Sequence, residues 1–160
     1  MVSVQDIEIR DAKPEDINYI VELVIRLKRL NEEFDPLFKT RDDIAIHTKK
    51  YIESALGSDD SVILVAERKG KVIGVVKADI VDRIFYEPRI EGRIKELYVL
   101  PEFRRKELGK RLVEAVIERL KNKVDMITAE FPTLNEIAVR FYNTLGFRCI
   151  MSNYAIEARE

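Results

Sequence analysis

The segment at residues 94–112, IKELYVLPEFRRKELGKRL, restricts the fold of this chain more than any other part of the sequence. Residues 94–99 have the apolar pattern of a strand that Pro101 closes, and a helix is predicted from about residue 107 to 121. The first amides of a helix have no partners within it, and the helix dipole favours an anion there. The segment therefore predicts a strand–turn–helix unit suited to a pyrophosphate, with a basic rim made by Arg104, Arg105, Lys106, Lys110 and Arg111.

The sequence before this segment predicts a strand, two helices and a hairpin. The strand is predicted at residues 7–10, and an amphipathic helix follows Pro14 with apolar residues on one face. A second helix is predicted at about residues 42–55. Apolar runs at 62–66 and 72–76, separated by a turn at 68–71, predict the hairpin.

After the segment, the pattern continues in strand–helix alternation. A strand is predicted at residues 126–131 and a helix at 135–145, which Gly146 ends as a C′ residue. Strands at 147–150 and 154–158 are expected to close the sheet. The strand–helix–strand unit from 94 to 131 predicts a right-handed crossover between parallel strands. The 160 residues predict one domain, residues 1–160.

Composition excludes several classes of protein. The 28 Lys and Arg residues nearly balance the 29 Asp and Glu residues, so there is no global drive toward nucleic acid or an anionic membrane. Cys149 is the only cysteine and His47 the only histidine, which excludes an intrachain disulfide and a Cys/His zinc cluster. No metal site is expected. The absence of a long apolar run or a signal-like start predicts a cytoplasmic protein without a membrane span.

Two motifs resemble those of the GNAT superfamily of acyl-CoA N-acyltransferases. After a strand ending in Leu-Tyr-Val-Leu-Pro, Arg104 and Gly109 match the first and last positions of Arg/Gln-x-x-Gly-x-Gly/Ala, while Glu107 stands at the middle Gly. Downstream, residues 135–147 are similar to Asn-x-x-Ala-x-x-Phe-Tyr-x-x-x-Gly-Phe. The two motifs occur in the family's order, and the resemblance covers nearly the whole chain.

The resemblance implies an α+β fold with a central mixed, mostly antiparallel sheet of about seven strands and helices on both faces. It implies acetyl-CoA as cosubstrate and direct transfer of the acetyl group to an amine, without a metal. A homodimer is compatible with the family, and the acceptor can be a protein N-terminus, a lysine, a polyamine or another small amine. The residues implied to bind the cosubstrate are Leu97, Tyr98, Val99, Arg104, Arg105, Lys106, Glu107, Leu108, Gly109, Lys110, Asn135 and Tyr142.

The resemblance also implies two catalytic residues. Tyr142 is placed beside the thioester as the acid that protonates the thiolate, and Glu96 is the candidate base for the amine. The alternatives are a core aromatic for Tyr142, and a surface carboxylate paired with Lys95 or Arg93 for Glu96. Glu91 is a weaker candidate base. The acidic group Glu32, Glu33 and Asp35 is either part of an acceptor site or a solvated turn.

Glu107 keeps two other functions open. A carboxylate at the position of Gly adds negative charge near the expected pyrophosphate and removes the conformational freedom of Gly. The chain can therefore also be read as a non-catalytic acyl-CoA sensor of the same fold, or as a structural subunit that does not bind CoA.

Overall fold

Five strands form one sheet, in which they lie side by side in the order β1-β2-β3-β4-β5. The computed structural model describes residues 6–159, without the side chains of Arg105 and Lys106. The first four strands pair antiparallel, and β4 pairs with β5 in parallel. The strands are β1 (Ile7–Asp11), β2 (Ser61–Arg68), β3 (Lys71–Asp82), β4 (Ile90–Val99) and β5 (Met126–Ala129).

Helices cover both faces of the sheet. Leu112 of the third helix lies 3.2 Å from the point where a Cβ on Gly74 would stand, whereas Lys77 packs on Tyr51 of the second helix. Positions 74 and 77 of β3 project to opposite faces, because side chains alternate along a strand. The helices are α1 (Ile17–Asn31), α2 (Ile44–Leu56), α3 (Leu108–Leu120) and α4 (Glu136–Thr144).

The predicted hairpin is confirmed, with Lys69 and Gly70 as its turn. Both residues have positive φ values, 50° and 78°, as the tight turns that match the twist of paired strands require. The hairpin strands carry the centre of the core: Val65, Ala66, Val75 and Val76 are fully buried. The predicted parallel crossover between β4 and β5 through α3 is confirmed as well.

An extra residue in β4 changes which side chains face the first two helices. Ala78 pairs with Ile94 and Lys77 pairs with Glu96, so Lys95 is a bulge. A bulge moves the following side chains to the other face of the sheet. Glu96 consequently faces α1 and α2, together with Lys77.

The expectation of about seven strands is wrong for the described chain, in which five strands occur. Residues 147–150 and 154–158, predicted as strands, have no regular secondary structure and belong to no sheet, and residues 148–159 are exposed. An alternating pattern shows that a segment suits a strand, but a strand forms only where another strand supplies hydrogen-bond partners.

Candidate active site

The turn between β4 and α3 places Glu107 in a left-handed backbone conformation. Pro101–Lys106 forms a 3-10 turn, and Glu107 joins it to α3 with φ 54° and ψ 23°. This left-handed conformation is one that Gly adopts freely and other residues adopt at a cost. Glu107 therefore has a backbone conformation that suits the Gly of the family motif, and its side chain is exposed.

The basic rim predicted around this turn is only partly assembled. Arg104 folds back on the end of β4: its Nε donates to the Val99 carbonyl at 3.0 Å and its guanidinium lies 5.2 Å from the Tyr98 ring centroid. Arg111 donates to the carbonyl of Ile7 on β1. Lys110 is exposed and lies 3.9 Å from Glu114. The predictions for the side chains of Arg105 and Lys106 lie outside the described residues.

Gly109 lets α4 approach the start of α3. A Cβ at Gly109 would stand 3.4 Å from Cε1 of Phe141, which leaves no room for a larger side chain without movement of the ring. Leu108, the first residue of α3, is fully buried. Asn135 accepts a hydrogen bond from the Ala138 amide at 3.1 Å and so caps α4, which confirms the capping role that its position allowed.

The edge of β4 is open where the two parallel strands separate. At the end of their pairing, the Glu130 amide donates to the Ile94 carbonyl at 3.2 Å, and no described strand pairs with β4 beyond Ile94 on this side. Leu100 donates to Ile73 of β3. Because backbone groups alternate in direction along a strand, the amides of Leu97 and Val99 point toward the open edge. These two amides are available to an extended ligand that lies between the strands.

Tyr142 lies at the mouth of this opening. Its ring stacks on Phe131 with centroids 5.3 Å apart, and Phe131 directly follows the residue whose amide makes the last bond to β4. Phe141 and Phe147 contact the ring edge-on. Tyr142 is 7% exposed, and burial raises the pKa of its hydroxyl above the ordinary value. The hydroxyl is therefore protonated at neutral pH.

Glu96 is buried in a polar cluster rather than on the surface. It is 3% exposed, both of its oxygens lie 3.0 Å from the Tyr51 hydroxyl, and Lys28 Nζ lies 3.2 Å from Oε1. The alternative of a surface carboxylate paired with Lys95 or Arg93 is wrong: Lys95 pairs with Glu130, and Arg93 pairs with Glu91.

Two residues of this cluster were missed in the sequence. Tyr51 lies on α2 and Lys28 on α1, 45 and 68 residues from their contact with Glu96. Burial and the adjacent Glu96 carboxylate raise the pKa of Tyr51, so its hydroxyl is a donor at neutral pH. The Tyr51 ring also covers Lys77, whose Nζ lies 4.3 Å from the ring centroid. No local motif marks these contacts.

The other acidic candidates are engaged in structural contacts. Burial opposes the charged form of Glu91, but hydrogen bonds from Arg93 and Thr128 outweigh it and lower the pKa. Glu32 accepts hydrogen bonds from the amide and hydroxyl of Thr40. Asp35 accepts from the amide of Leu37. These contacts favour the solvated turn over the acceptor site for the acidic group.

The surroundings of the site add three observations. A shallow groove of about 400 Å³ runs between α3 and the end of α4, and Glu107 and Lys110 lie at its border. Among the described residues, no cluster of His, Cys, Asp and Glu is arranged to hold a metal ion. No helix in the described part of the chain is long and apolar enough to cross a membrane.

A parallel strand pair that separates beside a helix N-terminus, in a sheet with helices on both faces, is the arrangement expected from the resemblance to acyl-CoA N-acyltransferases. The chain belongs to the Acetyltransferase (GNAT) family, whose model matches residues 26–147. The resemblance seen in the sequence is thereby confirmed. An uncharacterised N-acetyltransferase of Archaeoglobus fulgidus is 32% identical over 111 residues, 69% of this chain and 71% of that protein. Another, from Methanocaldococcus jannaschii, is 28% identical over 87% of this chain and 59% of its own length.

Solved structures share the fold at low sequence identity. A protein from Bacillus halodurans superimposes with a TM-score of 0.82 at 23% identity, covering 94% of this chain and 99% of that chain. A predicted acetyltransferase of Clostridium acetobutylicum, solved with acetyl-CoA, gives a TM-score of 0.78 at 17% identity, covering 94% and 96% of the two chains. The aminoglycoside N-acetyltransferase AAC(6')-Iy in complex with CoA gives 0.71 at 21% identity, covering 96% and 94%.

Proposed function

We propose that this protein transfers the acetyl group of acetyl-CoA directly to a primary amine. The observation that carries the proposal is the open edge of β4, where the amides of Leu97 and Val99 have no strand partner, between the start of α3 and the buried ring of Tyr142. The pyrophosphate would lie at the start of α3 and the pantetheine along β4. The two strand amides would also polarise the thioester carbonyl.

In this proposal Glu96 accepts a proton from the amine, and Tyr142 donates a proton to the thiolate. The amine must lose a proton before it attacks, and the Glu96 carboxylate accepts that proton, directly or through a water. The nitrogen then bonds to the acetyl carbon and releases a second proton to solvent, and the carbon–sulfur bond breaks. The thiolate takes the proton of the Tyr142 hydroxyl, which is replaced from solvent. Burial raises the pKa of this hydroxyl, and the same environment raises the basicity of a thiolate that leaves beside it.

The contacts of Glu96 support an indirect path for the first proton. Its 3% exposure limits direct contact with an acceptor, whereas Tyr51, which bonds both of its oxygens, is partly exposed. Lys28 holds the carboxylate in place through an ion pair at 3.2 Å. Tyr51 is in this scheme a positioning residue that fixes the orientation of the Glu96 carboxylate.

The test is acetyl-CoA turnover by the full chain. Release of free CoA thiol is measured with a panel of a peptide with a free N-terminus, a peptide with a free lysine and a blocked N-terminus, a polyamine and a small primary amine. Amine-dependent release for at least one class supports the proposal, and the preferred class names the acceptor. Binding of acetyl-CoA without turnover on any amine would instead favour the sensor, and no binding would favour the structural subunit.

The role of Glu96 has its own test in the pH dependence of kcat. Glu96→Gln should lose activity most at the acidic end, where the smallest fraction of the amine is deprotonated without help. Tyr51→Phe should cause a smaller loss, because it leaves the carboxylate but removes its hydrogen bonds, and Tyr19→Phe on the exposed side of α1 is the matched control. An acidic limb unchanged by Glu96→Gln would assign the base to another group or to solvent.

The proposal treats residues 1–160 as one domain that works in the cytoplasm with acetyl-CoA and an amine acceptor. The single sheet from β1 to β5 supports the assignment of one domain. A family match over residues 26–147 supports it further, because it includes both motifs and the cluster around Glu96.

A further inference from the structure

Lys77 is a buried lysine beside the candidate base, and the proposed proton transfers do not use it. It is 2% exposed and lies on β3 directly across from Glu96 of β4. Its Nζ forms an ion pair with Asp79 at 2.6 Å, and the Ser61 hydroxyl donates to the same Asp79 oxygen at 2.8 Å. Replacing a buried ion pair by apolar side chains of similar volume is often neutral for stability. Packing alone therefore does not require a charged group at position 77.

Tyr51 connects Lys77 to the carboxylate of Glu96. The face of its ring lies over Lys77, with Nζ 4.3 Å from the ring centroid, and its hydroxyl lies 3.0 Å from each oxygen of Glu96. A cation is attracted to the face of an aromatic ring, so Lys77 restrains the ring from the side of the sheet. Because the carbon–oxygen bond lies in the plane of the ring, a restrained ring also fixes the position of the hydroxyl.

The two oxygens of Glu96 differ in their surroundings. Oε1 is contacted by the Tyr51 hydroxyl and by Lys28 Nζ, the latter at 3.2 Å. Among the described residues, Oε2 has a hydrogen bond with the Tyr51 hydroxyl alone. A carboxylate oxygen can accept two hydrogen bonds, so Oε2 keeps the larger capacity for a further donor. The arrangement thus distinguishes one oxygen of the candidate base from the other.

We propose that Lys77 is a positioning residue for acetyl transfer, which holds Tyr51 so that Oε2 of Glu96 takes the proton of the amine. The inference rests on the proposed function. In the step that it concerns, an N–H bond of the protonated amine breaks, an O–H bond forms at Oε2, and the electron pair stays on nitrogen for the attack. Lys77 is too buried to touch an acceptor, so it acts only through Tyr51. Without the restraint, the ring rotates and the carboxylate turns with it.

The first experiment measures kcat and the KM for the amine against pH. Lys77→Met keeps an unbranched side chain and removes the charge, and Lys77→Gln also keeps a donor for Asp79, so it replaces Lys77→Met if that variant does not fold. At the acidic end kcat should fall about 3- to 10-fold, the order that a cation–π contact is worth, with little change in KM. Val76→Ala is the matched control: it is fully buried on the same strand and projects to the opposite face. It should lower stability and leave the pH profile unchanged.

A double variant tests whether Lys77 acts through Tyr51. Tyr51→Phe keeps the ring and removes the hydroxyl that contacts Glu96, so the charge of Lys77 no longer has a route to the carboxylate. Adding Lys77→Met to Tyr51→Phe should therefore cause no further loss of kcat. Losses that multiply in the double variant would overturn the proposal, and so would a wild-type pH profile in Lys77→Met and Lys77→Gln.

The second measurement does not depend on turnover. The proton of the Tyr51 hydroxyl, held by a buried carboxylate, should give a slowly exchanging ¹H NMR signal at low temperature, which Tyr51→Phe lacks. We expect the signal to remain in Val76→Ala and to shift or disappear in the Lys77 variants. No signal in the wild type, or an unchanged signal in the Lys77 variants, would overturn the positioning role. If no amine is acetylated while the signal still depends on Lys77, the proposed function fails and the restraint on Tyr51 stands.

Discussion

Glu107 departs from the family motif at a position whose backbone conformation favours Gly. Its left-handed backbone, φ 54°, is what makes Gly the preferred residue at this position, since a Cβ costs about 1–2 kcal/mol there. The exposed side chain leaves the backbone of the turn free to face an anion. Its carboxylate still adds negative charge near the start of α3.

Glu107→Gly should therefore stabilise the fold and strengthen acetyl-CoA binding. The relief of backbone strain exceeds the extra freedom of Gly in the unfolded chain, about 0.5–1 kcal/mol, so a net gain of up to about 1 kcal/mol is expected. Tighter binding should be clearest at low salt, where the carboxylate is least screened. Urea denaturation and calorimetry at two salt concentrations measure both effects. The control is Glu102→Gly in the same turn. Glu102 does not have a positive φ, so this variant should lower the free energy of unfolding. An equal loss of stability in Glu107→Gly and Glu102→Gly would contradict the argument.

Tyr142 is a packed aromatic residue and the general acid that we propose for the reaction. Its ring is held by three aromatic neighbours, so Tyr142→Phe should fold normally. We expect kcat to fall about 10²-fold, within the range for a positioned acid, with little change in the Kd of CoA. Tyr86→Phe, at an exposed site far along the β3–β4 connection, is the control. Turnover at the wild-type rate would leave Tyr142 as a core aromatic.

Titration can test the direction in which burial shifts the pKa of Tyr142. Because burial favours the neutral hydroxyl, the folded protein holds this proton above pH of about 10, where a free tyrosine ionises. The folded state is therefore favoured fully below that pH, and this contribution is lost as the pH rises further. Spectroscopic titration of Tyr142→Phe should lack one late-ionising tyrosine relative to the wild type.

At the scale of elements, the site depends on how β4 is placed between its neighbours. The bulge at Lys95 redirects Glu96 toward α1 and α2, and β5 leaves β4 just before it. Gly92 sits where β4, β5 and α3 meet. A Cβ there would lie 2.9 Å from Leu120 Cδ1 and 3.0 Å from Ile127 Cδ1. The absence of a side chain at Gly92 thus permits the close packing that orients the separating strands.

Gly92→Ala should destabilise the protein by about 1–3 kcal/mol, as overpacking of a core does. Gly57→Ala is the matched control, because the nearest atom to its Cβ is 3.8 Å away and its φ is -89°. The control should be neutral or slightly stabilising, since Ala restricts the unfolded chain. Midpoints of urea denaturation measure both variants. If Gly92→Ala is as stable as the control, the contact among these three elements is looser than the distances indicate.

At the scale of the whole molecule, the proposed ligand would contact three different elements of the fold at once. The start of α3, the open edge of β4 and the ring of Tyr142 on α4 belong to different elements. A ligand that touches all three binds the folded state and not the unfolded chain. Such a ligand raises the free energy of unfolding, and tighter binding raises it further.

Acetyl-CoA at about 100 times its Kd should add roughly 2.7 kcal/mol to the free energy of unfolding. Thermal unfolding with and without the ligand measures the gain. A CoA fragment that lacks the pyrophosphate should stabilise less, because the contact at the start of α3 is lost. Unchanged unfolding together with no heat of binding would remove acetyl-CoA as the cosubstrate.

The sequence by itself determined the features that depend on neighbouring residues. The turn at Lys69-Gly70, the cap at Asn135, the strand–turn–helix unit and the family all follow from short patterns, because backbone preferences and hydrogen bonds within a few residues set them. Burial of Glu96, its contacts with Tyr51 and Lys28, the bulge at Lys95 and the unpaired state of residues 148–158 were decided only by the tertiary structure. Each of these depends on whether a partner distant in the chain is present, and residue patterns along one segment do not specify which surface it will meet.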